Sequence, residues 1–276
     1  MNFISRLYTA QKKSRSLLCI GLDTDRKKLP VHLQSKKNGI LEFNRRIIEA
    51  TSEFVCAYKI NFAFYESLGK AGWEIIEKTK ALVPSRALTI ADAKRGDIGN
   101  SSSYYADAIL NAMGFDAVTV APYMGKDSVA PFMQWKEKGV FLLALTSNEG
   151  AMDFQMKKNG RRKLFEEVVL TSQQWNIRHN LGFVVGATRA KDIHRVRTLA
   201  PDIPFLVPGI GSQGGSLKDV VQYGCTNDGF GVLINASRSI LYASSGKNFA
   251  EAARAEAEKL TNEINSLRKT IFNLRG

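Results

Sequence analysis

The segment Leu88-Thr89-Ile90-Ala91-Asp92-Ala93-Lys94 begins as an apolar, β-rich run and ends in charged residues. Residues two apart share one face of a strand, so Asp92 and Lys94 point together while Ala91 and Ala93 take the opposite face. Burying such a charged pair without partners is costly. A buried strand that ends in this pair therefore indicates a site that uses it.

Comparable runs recur along the whole chain, and each ends in a polar or small residue. Their nearly continuous hydrophobicity is typical of parallel strands that are buried on both faces. The other predicted strands are Leu17–Asp23, Cys56–Asn61, Ala117–Val120, Val140–Ser147, Gly182–Thr188, Phe205–Gly211 and Gly231–Ser237.

Helical periodicity separates these runs. The predicted helices include Leu41–Ile48, Trp73–Glu77, Ser102–Met113, Phe165–Trp175 and Ile193–Leu199. Strands that alternate with helices imply a parallel sheet, and such units within 276 residues suit a (β/α)8 TIM barrel. We expect one barrel domain over residues 1–276, with an N-terminal helix at about 2–14 and the active site at the C-terminal ends of the strands.

The last predicted element is a long helix at about 247–272. Its apolar positions alternate spacings of three and four: Ala250, Ala253, Ala257, Leu260, Ile264, Leu267 and Ile271. The eighth barrel unit requires a helix on the outer wall, which favours that position. A coiled-coil contact with a second copy is the alternative.

Composition narrows the function classes. The net charge is +13, but the basic residues are spread along the chain without a dense run, which argues against nucleic acid binding. No apolar run is long enough to span a membrane, and the N-terminus lacks a signal-peptide pattern. The three cysteines form no C-x-x-C pair, and the three histidines lack metal-ligand spacing. We therefore expect a cytoplasmic protein without a disulfide framework, zinc site or membrane partner.

Polar residues follow several predicted strands, where a barrel gathers its chemistry. They are Asp23, Lys59, Asn61, Asp92, Lys94, Ser147, Gln213 and Arg238. Adjacent parallel strands should bring Lys59 beside Asp92 and Lys94. Taken alone, Lys59 could equally be an exposed lysine at a strand end.

The glycine-rich segment Pro208–Gly215 predicts a phosphate site. Glycines let backbone N–H groups approach an anion, and loops after the seventh and eighth strands commonly bind phosphate in such barrels. Arg238 could add paired donors. The segment also fits G-x-G-x-x-G, but Asp228 precedes its strand, which disfavours a dinucleotide site.

The pattern Asp92-x-Lys94-x-x-Asp97-Ile98 resembles the signature of orotidine 5′-phosphate decarboxylases. The resemblance extends through Gly21-Leu22-Asp23, Tyr58-Lys59-Ile60-Asn61, Pro208–Gly215 and Ser237-Arg238, and so covers nearly the whole chain. Gly99-Asn100-Ser101 stands where the commoner subgroup has Pro-Asn-Thr. This segment and Ala121–Gly125 are similar to a second, more divergent bacterial subgroup.

The resemblance implies decarboxylation of orotidine 5′-monophosphate to uridine 5′-monophosphate without a metal or organic cofactor. Lys94 would protonate C6, Asp92 would face the departing carboxylate, and Lys59 would complete the charge array. Asp97 would act across the interface of a homodimer. The implied substrate contacts are Asp23 and Ser101 at the ribose, Ser147 at the pyrimidine, Pro208, Gln213 and Arg238 at the phosphate, with Asn61, Ile98 and Ser237 alongside.

Two rival functions remain. Related barrels that act on sugar phosphates with magnesium place an acidic metal ligand at the end of the second strand, where this chain has the cation Lys59. A non-catalytic protein that binds phosphate or RNA would not need alternating carboxylates and lysines at strand ends.

Overall fold

The structure, a computed structural model, describes residues 1–210 and 214–274. Parallel strands close into a barrel in which each strand pairs with its neighbours in chain order and the last returns to the first. This confirms the predicted (β/α)8 class. The strands are β1 Leu18–Gly21, β2 Ala57–Asn61, β3 Leu88–Arg95, β4 Ala117–Val120, β5 Gly139–Leu145, β6 Leu181–Val185, β7 Phe205–Pro208 and β8 Val232–Ala236.

Helices surround the barrel and connect its strands. The longer ones are α1 Phe3–Ser14, α2 Gly39–Thr51, α3 Lys70–Leu82, α4 Gly99–Ala106, α5 Leu164–Gln173, α6 Ala190–Leu199, α7 Leu217–Gly224 and α8 Phe249–Phe272. Single α-helical turns occur at Val31–Gln34, Ala63–Glu66, Lys126–Val129 and Arg238–Leu241. The 3₁₀ turns are Arg26–Lys28, Ser52–Phe54, Ala130–Met133 and Glu149–Met152, and a π-helical stretch, Asp107–Ala112, continues α4. A small hairpin pairs Lys158–Asn159 with Arg162–Lys163.

Helix α8 lies on the outer wall, as its spacing of apolar residues favours. Ala253, Ala257 and Ile264 are fully buried on its inner face. At its start, the Phe249 ring stacks on Phe43 of α2 with the ring centroids 4.9 Å apart. The alternating spacing therefore reflects packing within the chain.

Helix α1 closes the N-terminal end of the barrel. Phe3 and Leu7 are fully buried against the residues that fill this end of the interior. The Phe3 ring meets Phe141 of β5 edge-on, with centroids 5.9 Å apart. A Cβ atom added at Gly139 would lie 2.4 Å from the Phe3 ring, and one added at Gly182 would lie 2.5 Å from the Phe141 ring. Glycine at these positions makes room for the two rings.

Several predicted strands extend too far at their C-terminal ends. The fifth was expected to reach Ser147 and the sixth Thr188, but β5 ends at Leu145 and β6 at Val185. The first and eighth are likewise shorter than predicted, and β7 ends at Pro208. Past these ends a few backbone hydrogen bonds between neighbouring strands continue, and the chain then enters the loops over the barrel mouth.

Cys19, Cys56 and Cys225 are free and buried. Across residues 1–210 and 214–274, no helix is both long and apolar enough to cross a membrane.

Candidate active site

A cavity of about 330 Å³ opens at the C-terminal end of the barrel. Many of the residues that the sequence singled out line it: Asp23, Lys59, Asn61, Asp92, Lys94, Ser147, Pro208, Ser237 and Arg238. They come from β1, β2, β3, β5, β7 and β8, or from the loops directly after them. The closed barrel thus brings together side chains that are far apart in the sequence.

Four side chains form what we call the charge array: Asp23, Lys59, Asp92 and Lys94. Lys59 Nζ lies 2.8 Å from Asp92 Oδ2 and 3.3 Å from Asp23 Oδ1. Lys94 Nζ lies 2.6 Å from Asp92 Oδ1. Asp92 therefore bridges the two lysines, and the predicted proximity of Lys59 to the pair is observed.

Burial differs sharply between the two lysines. The Lys59 side chain is 4% exposed, whereas that of Lys94 is 50% exposed and reaches into the cavity. An ammonium as deeply buried as that of Lys59 requires charged partners. Lys59 is therefore part of the array and not the exposed strand-end lysine that the sequence left open.

Electrostatics keeps the inner members of the array charged. Burial lowers the pKa of Lys59, but the carboxylates of Asp23 and Asp92 outweigh burial and raise it above its ordinary value. Burial raises the pKa of Asp92, but the ammonium groups of Lys59 and Lys94 outweigh it and hold the pKa well below its usual range. Both groups are thus ionised at neutral pH.

The backbone of β3 is irregular where the array is formed. Ala91 pairs with Val118 of β4, but the next pair is Arg95 with Val120, so β3 contains extra residues in a bulge. Within it Lys94 takes a left-handed conformation with φ 47°. A non-glycine residue rarely adopts this conformation without other restraints.

Thr119 of β4 is a restraint that the sequence analysis missed. It lies opposite the bulge and is 1% exposed. Its hydroxyl oxygen accepts a hydrogen bond from the Lys94 backbone N–H (2.9 Å) and donates one to Asp92 Oδ1 (3.0 Å). Val118-Thr119-Val120 resembles any β-branched strand, so the contact becomes visible only from the register of β3 and β4.

Asn235 of β8 was also missed. It lines the cavity and is 6% exposed, and its Oδ1 has no hydrogen-bond partner among the described residues. Pro208, its partner in the register of β7 and β8, has no backbone N–H to offer. A buried polar group without a partner is uncommon in folded proteins and suits a ligand that brings a donor.

The opposite wall of the cavity is apolar. Leu143 of β5, Val184 of β6 and Leu206 of β7 line it across from the charge array. An apolar wall displaces water and lowers the local dielectric constant. The fields of the array therefore act more strongly on a bound molecule than they would in water.

Groups suited to an anion lie at the β7–β8 side. Arg238 is exposed, lines the cavity and forms no ion pair with a residue in the described ranges. Gly209 has φ 105°, a conformation that strains other residues. A Cβ at Gly215 would lie 2.6 Å from that of Ala187, so Gly215 packs closely against the loop after β6. Gln213 lies outside the described residues, as do Gly211 and Ser212.

Three predicted site residues do not line this cavity. Asp97 is half-buried, and its carboxylate accepts a hydrogen bond from the Ile98 N–H (2.8 Å). Ile98 is 63% exposed, and Ser101 is exposed on α4. These residues follow β3 and its bulge in the chain, and none of them is among the residues that line the cavity.

The chain is similar to known proteins over nearly its whole length. The family model described as "Orotidine 5′-phosphate decarboxylase / HUMPS family" matches residues 16–255. A Dehalococcoides mccartyi protein named orotidine 5′-phosphate decarboxylase is 50% identical over 273 residues, which cover 98% of this chain and 99% of the relative.

Solved structures agree. The Leishmania donovani OMP decarboxylase is 40% identical, with a TM-score of 0.85 and coverage of 97% of this chain and 99% of that one. The Leishmania donovani UMP synthase is also 40% identical, with a TM-score of 0.87, and this chain spans 57% of its length. On these grounds, together with the Asp-x-Lys-x-x-Asp segment and the observed barrel, the chain belongs to the orotidine 5′-phosphate decarboxylase / HUMPS family.

Proposed function

We propose that this protein is an orotidine-5′-phosphate decarboxylase that converts orotidine 5′-monophosphate to uridine 5′-monophosphate, the final step of pyrimidine nucleotide synthesis. The observation that carries the proposal is Lys94 Nζ, which reaches into the cavity 2.6 Å from the buried Asp92 carboxylate. Relatives that share half of the sequence bear the name of this activity.

The difficult step leaves a carbanion at C6 in the plane of the ring, where the π system cannot delocalise it. A fixed ammonium beside C6 stabilises this charge without reorganising and then supplies the proton. In the proposed reaction the bond between C6 and the carboxylate breaks, its electron pair stays on C6, and CO₂ is released. The carbanion at C6 then takes a proton from Lys94 Nζ. Solvent then returns a proton to the amine. The Lys94 ammonium stabilises the negative charge that an electron sink would otherwise accept, so the proposed mechanism uses neither a metal nor an organic cofactor.

Asp92 has two roles in this mechanism. It holds the Lys94 ammonium through the 2.6 Å contact, and it stays ionised next to the position of the substrate carboxylate. The second ammonium, that of Lys59, offsets the charge of Asp92 and lies within reach of a ribose hydroxyl.

The nucleotide has a preferred direction in the cavity. We place its phosphate at the β7–β8 side, with Pro208, Ser237 and Arg238, because Arg238 has no described ionic partner and lines the cavity together with Gly209. Gln213 lies outside the described residues and stays a predicted contact of the phosphate. The ribose then lies over Asp23 and Asn61, and the pyrimidine between Lys94 and Ser147. Binding energy from the phosphate end can be expressed at C6, since it fixes the ring against the array.

A homodimer would complete the site. Asp97, Ile98 and Ser101 do not line the cavity of their own chain, and apolar side chains around them are exposed: Ile98, Tyr104, Tyr105, Tyr123 and Met124. An exposed apolar patch of this kind is typical of an interface. We propose that a second copy covers this patch and that its Asp97 enters the cavity beside Lys94.

The magnesium-dependent alternative fits the array less well. The Lys59 ammonium already lies between the Asp23 and Asp92 carboxylates, the two groups that a divalent cation would need. A cation at that point would be repelled by Lys59.

We also propose a cytoplasmic location and no nucleic acid partner. The free, buried cysteines suit a reducing compartment, and the basic residues are dispersed along the sequence.

The test mixes purified, EDTA-treated protein with orotidine 5′-monophosphate and follows the ultraviolet absorbance as the carboxylate is lost. Turnover supports the proposal and its independence of metal. Activity found only with a sugar phosphate and magnesium would assign the protein to the metal-dependent relatives. Salt-sensitive RNA binding without turnover on either substrate would support the binding protein instead.

A further inference from the structure

The Thr119 hydroxyl makes hydrogen bonds to two groups of the site, the Lys94 backbone N–H and the Asp92 carboxylate. The β3 bulge removes the Lys94 backbone N–H from regular pairing with β4, and buried backbone donors almost always have partners. Thr119 Oγ1 accepts this hydrogen bond at 2.9 Å. The side chain of one strand thus replaces a backbone acceptor of the ladder.

The same hydroxyl also donates a hydrogen bond. With a lone pair engaged by the Lys94 N–H, its proton points at Asp92 Oδ1, 3.0 Å away. That oxygen also accepts from Lys94 Nζ. The backbone of Lys94, the hydroxyl of Thr119, the carboxylate of Asp92 and the ammonium of Lys94 therefore form a closed ring of contacts.

We propose that Thr119 is a positioning residue, whose hydroxyl holds Lys94 in its left-handed conformation and fixes the Asp92 carboxylate against the Lys94 ammonium. The inference rests on the proposed function, since it assigns Lys94 the chemical step. Thr119 itself lies on the cavity wall beneath the pair and transfers no proton to the substrate in this scheme.

Substitutions of Thr119 by serine and by valine distinguish the effect of losing the hydroxyl from the effect of changing the size of the side chain. Thr119→Val keeps the shape but loses both hydrogen bonds and leaves a buried N–H and a carboxylate oxygen short of a partner. A lost hydrogen bond to a charged group corresponds to a decrease in kcat of roughly 10- to 100-fold. Thr119→Ser keeps the hydroxyl, and we expect its kcat to stay within about threefold of the parent value.

Thr89 provides a matched control at the other end of the barrel. Its hydroxyl donates to Asp116 Oδ2 (2.8 Å) and accepts from the Asp116 backbone N–H (3.2 Å), and its side chain is likewise buried on a strand. Thr89→Val thus removes the same kinds of hydrogen bond away from the array. We expect it to leave kcat unchanged and to lower Tm somewhat less than Thr119→Val does, because the Asp116 N–H keeps the Thr89 carbonyl oxygen as an acceptor (3.1 Å).

The experiment measures Tm, kcat, the Kd of uridine 5′-monophosphate and a crystal structure for each variant. The proposal expects Thr119→Val to lose kcat with little change in Kd, and its crystal structure to show Lys94 outside the left-handed region or its ammonium displaced from Asp92. Unchanged kcat, equal losses in Thr119→Ser, or an equal kcat loss in Thr89→Val would each overturn it.

Two further outcomes remain decisive. If Thr119→Val does not fold, Thr119→Cys replaces it; because a thiol is a weak donor, its kcat must fall below that of Thr119→Ser. If the parent does not decarboxylate orotidine 5′-monophosphate, the proposed function fails, and the crystal structures still decide whether Thr119 positions Lys94 and Asp92.

Discussion

At the N-terminal end of the barrel, Phe3 and Leu7 of α1 seal an interior of buried apolar side chains, whereas at the C-terminal end the interior opens onto the charge array. The same strands build both ends. On β2, Ala57 belongs to the sealed end and Lys59 to the array; on β3, Ile90 and Asp92 are divided in the same way.

Two residues along a strand correspond to roughly 7 Å, so the interior changes from dry core to ionic site over a very short distance. This is tolerable because the array neutralises itself: Lys59 has two carboxylate partners, and Asp92 has two ammonium partners. The comparison indicates that the sealed end contributes stability through apolar burial, while the open end holds the groups to which we assign the chemistry.

The largest effect is expected at the open end. Replacing Lys94 with alanine removes the proton donor and the charge beside C6, so kcat should fall by at least about 10⁴-fold. Because the Lys94 side chain is half exposed, Tm should change little. Ultraviolet assays, the Kd of uridine 5′-monophosphate and thermal unfolding check this. Near-normal turnover would remove Lys94 from the mechanism.

The sealed end should respond in the opposite way. Phe141→Ala deletes a fully buried ring that packs on Phe3, and such changes cost about 3–5 kcal/mol of unfolding free energy. Urea unfolding measures this loss, and kcat is measured at a temperature where the variant is folded. A large loss of kcat with little loss of stability would contradict the division between the two ends.

Arg238→Ala tests the phosphate side of the open end. Loss of a charged contact to phosphate should raise KM about 10- to 100-fold, and kcat should also fall if phosphate binding helps to fix the ring. Arg178 is an exposed arginine just before β6, at the other end of the barrel, and Arg178→Ala makes the same change of charge as a control. An unchanged kcat/KM in Arg238→Ala would exclude Arg238 from the site.

The smallest effect is a pH dependence of stability. The pKa of Asp92 is lowered in the folded protein, so its contribution is fully present above the unfolded value of about 3.9 and is lost as the pH falls through the folded value. Lys59, with a raised pKa, contributes below about pH 10.4, and this is lost as the pH rises through its folded value. Urea unfolding of the parent and Asp92→Asn below pH 4 should show the steeper loss in the parent; parallel curves would contradict the pKa direction.

The barrel could be predicted from the sequence because strands buried on both faces produce continuous apolar runs that local pattern detects. Their C-terminal ends could not, since residues such as Ser147 and Thr188 follow a strand without belonging to its ladder. The π-helical end of α4 was likewise expected as ordinary helix, because the two forms bury similar faces.

Within the site, the sequence located Asp92 and Lys94 because they are two apart on a strand. It could not reveal the bulge that turns Lys94 to positive φ, nor the contact of Thr119, since both depend on the register between two strands. Asn235 escaped notice for a similar reason: its neighbours Ile234 and Ala236 make it resemble an incidental polar residue in a strand. Roles for Asp97, Ile98 and Ser101 came from the resemblance alone and stay predictions.

The packing of Phe3 against Phe141 has a consequence for how molecules enter and leave the barrel. It closes the N-terminal end of the barrel. In the part of the chain that the structure describes, the charge array lies between this closed end and the open mouth. In the proposed reaction, CO₂ released beside Asp92 has to depart by the route through which the nucleotide entered. We therefore expect the two products to share one exit, at the mouth of the barrel.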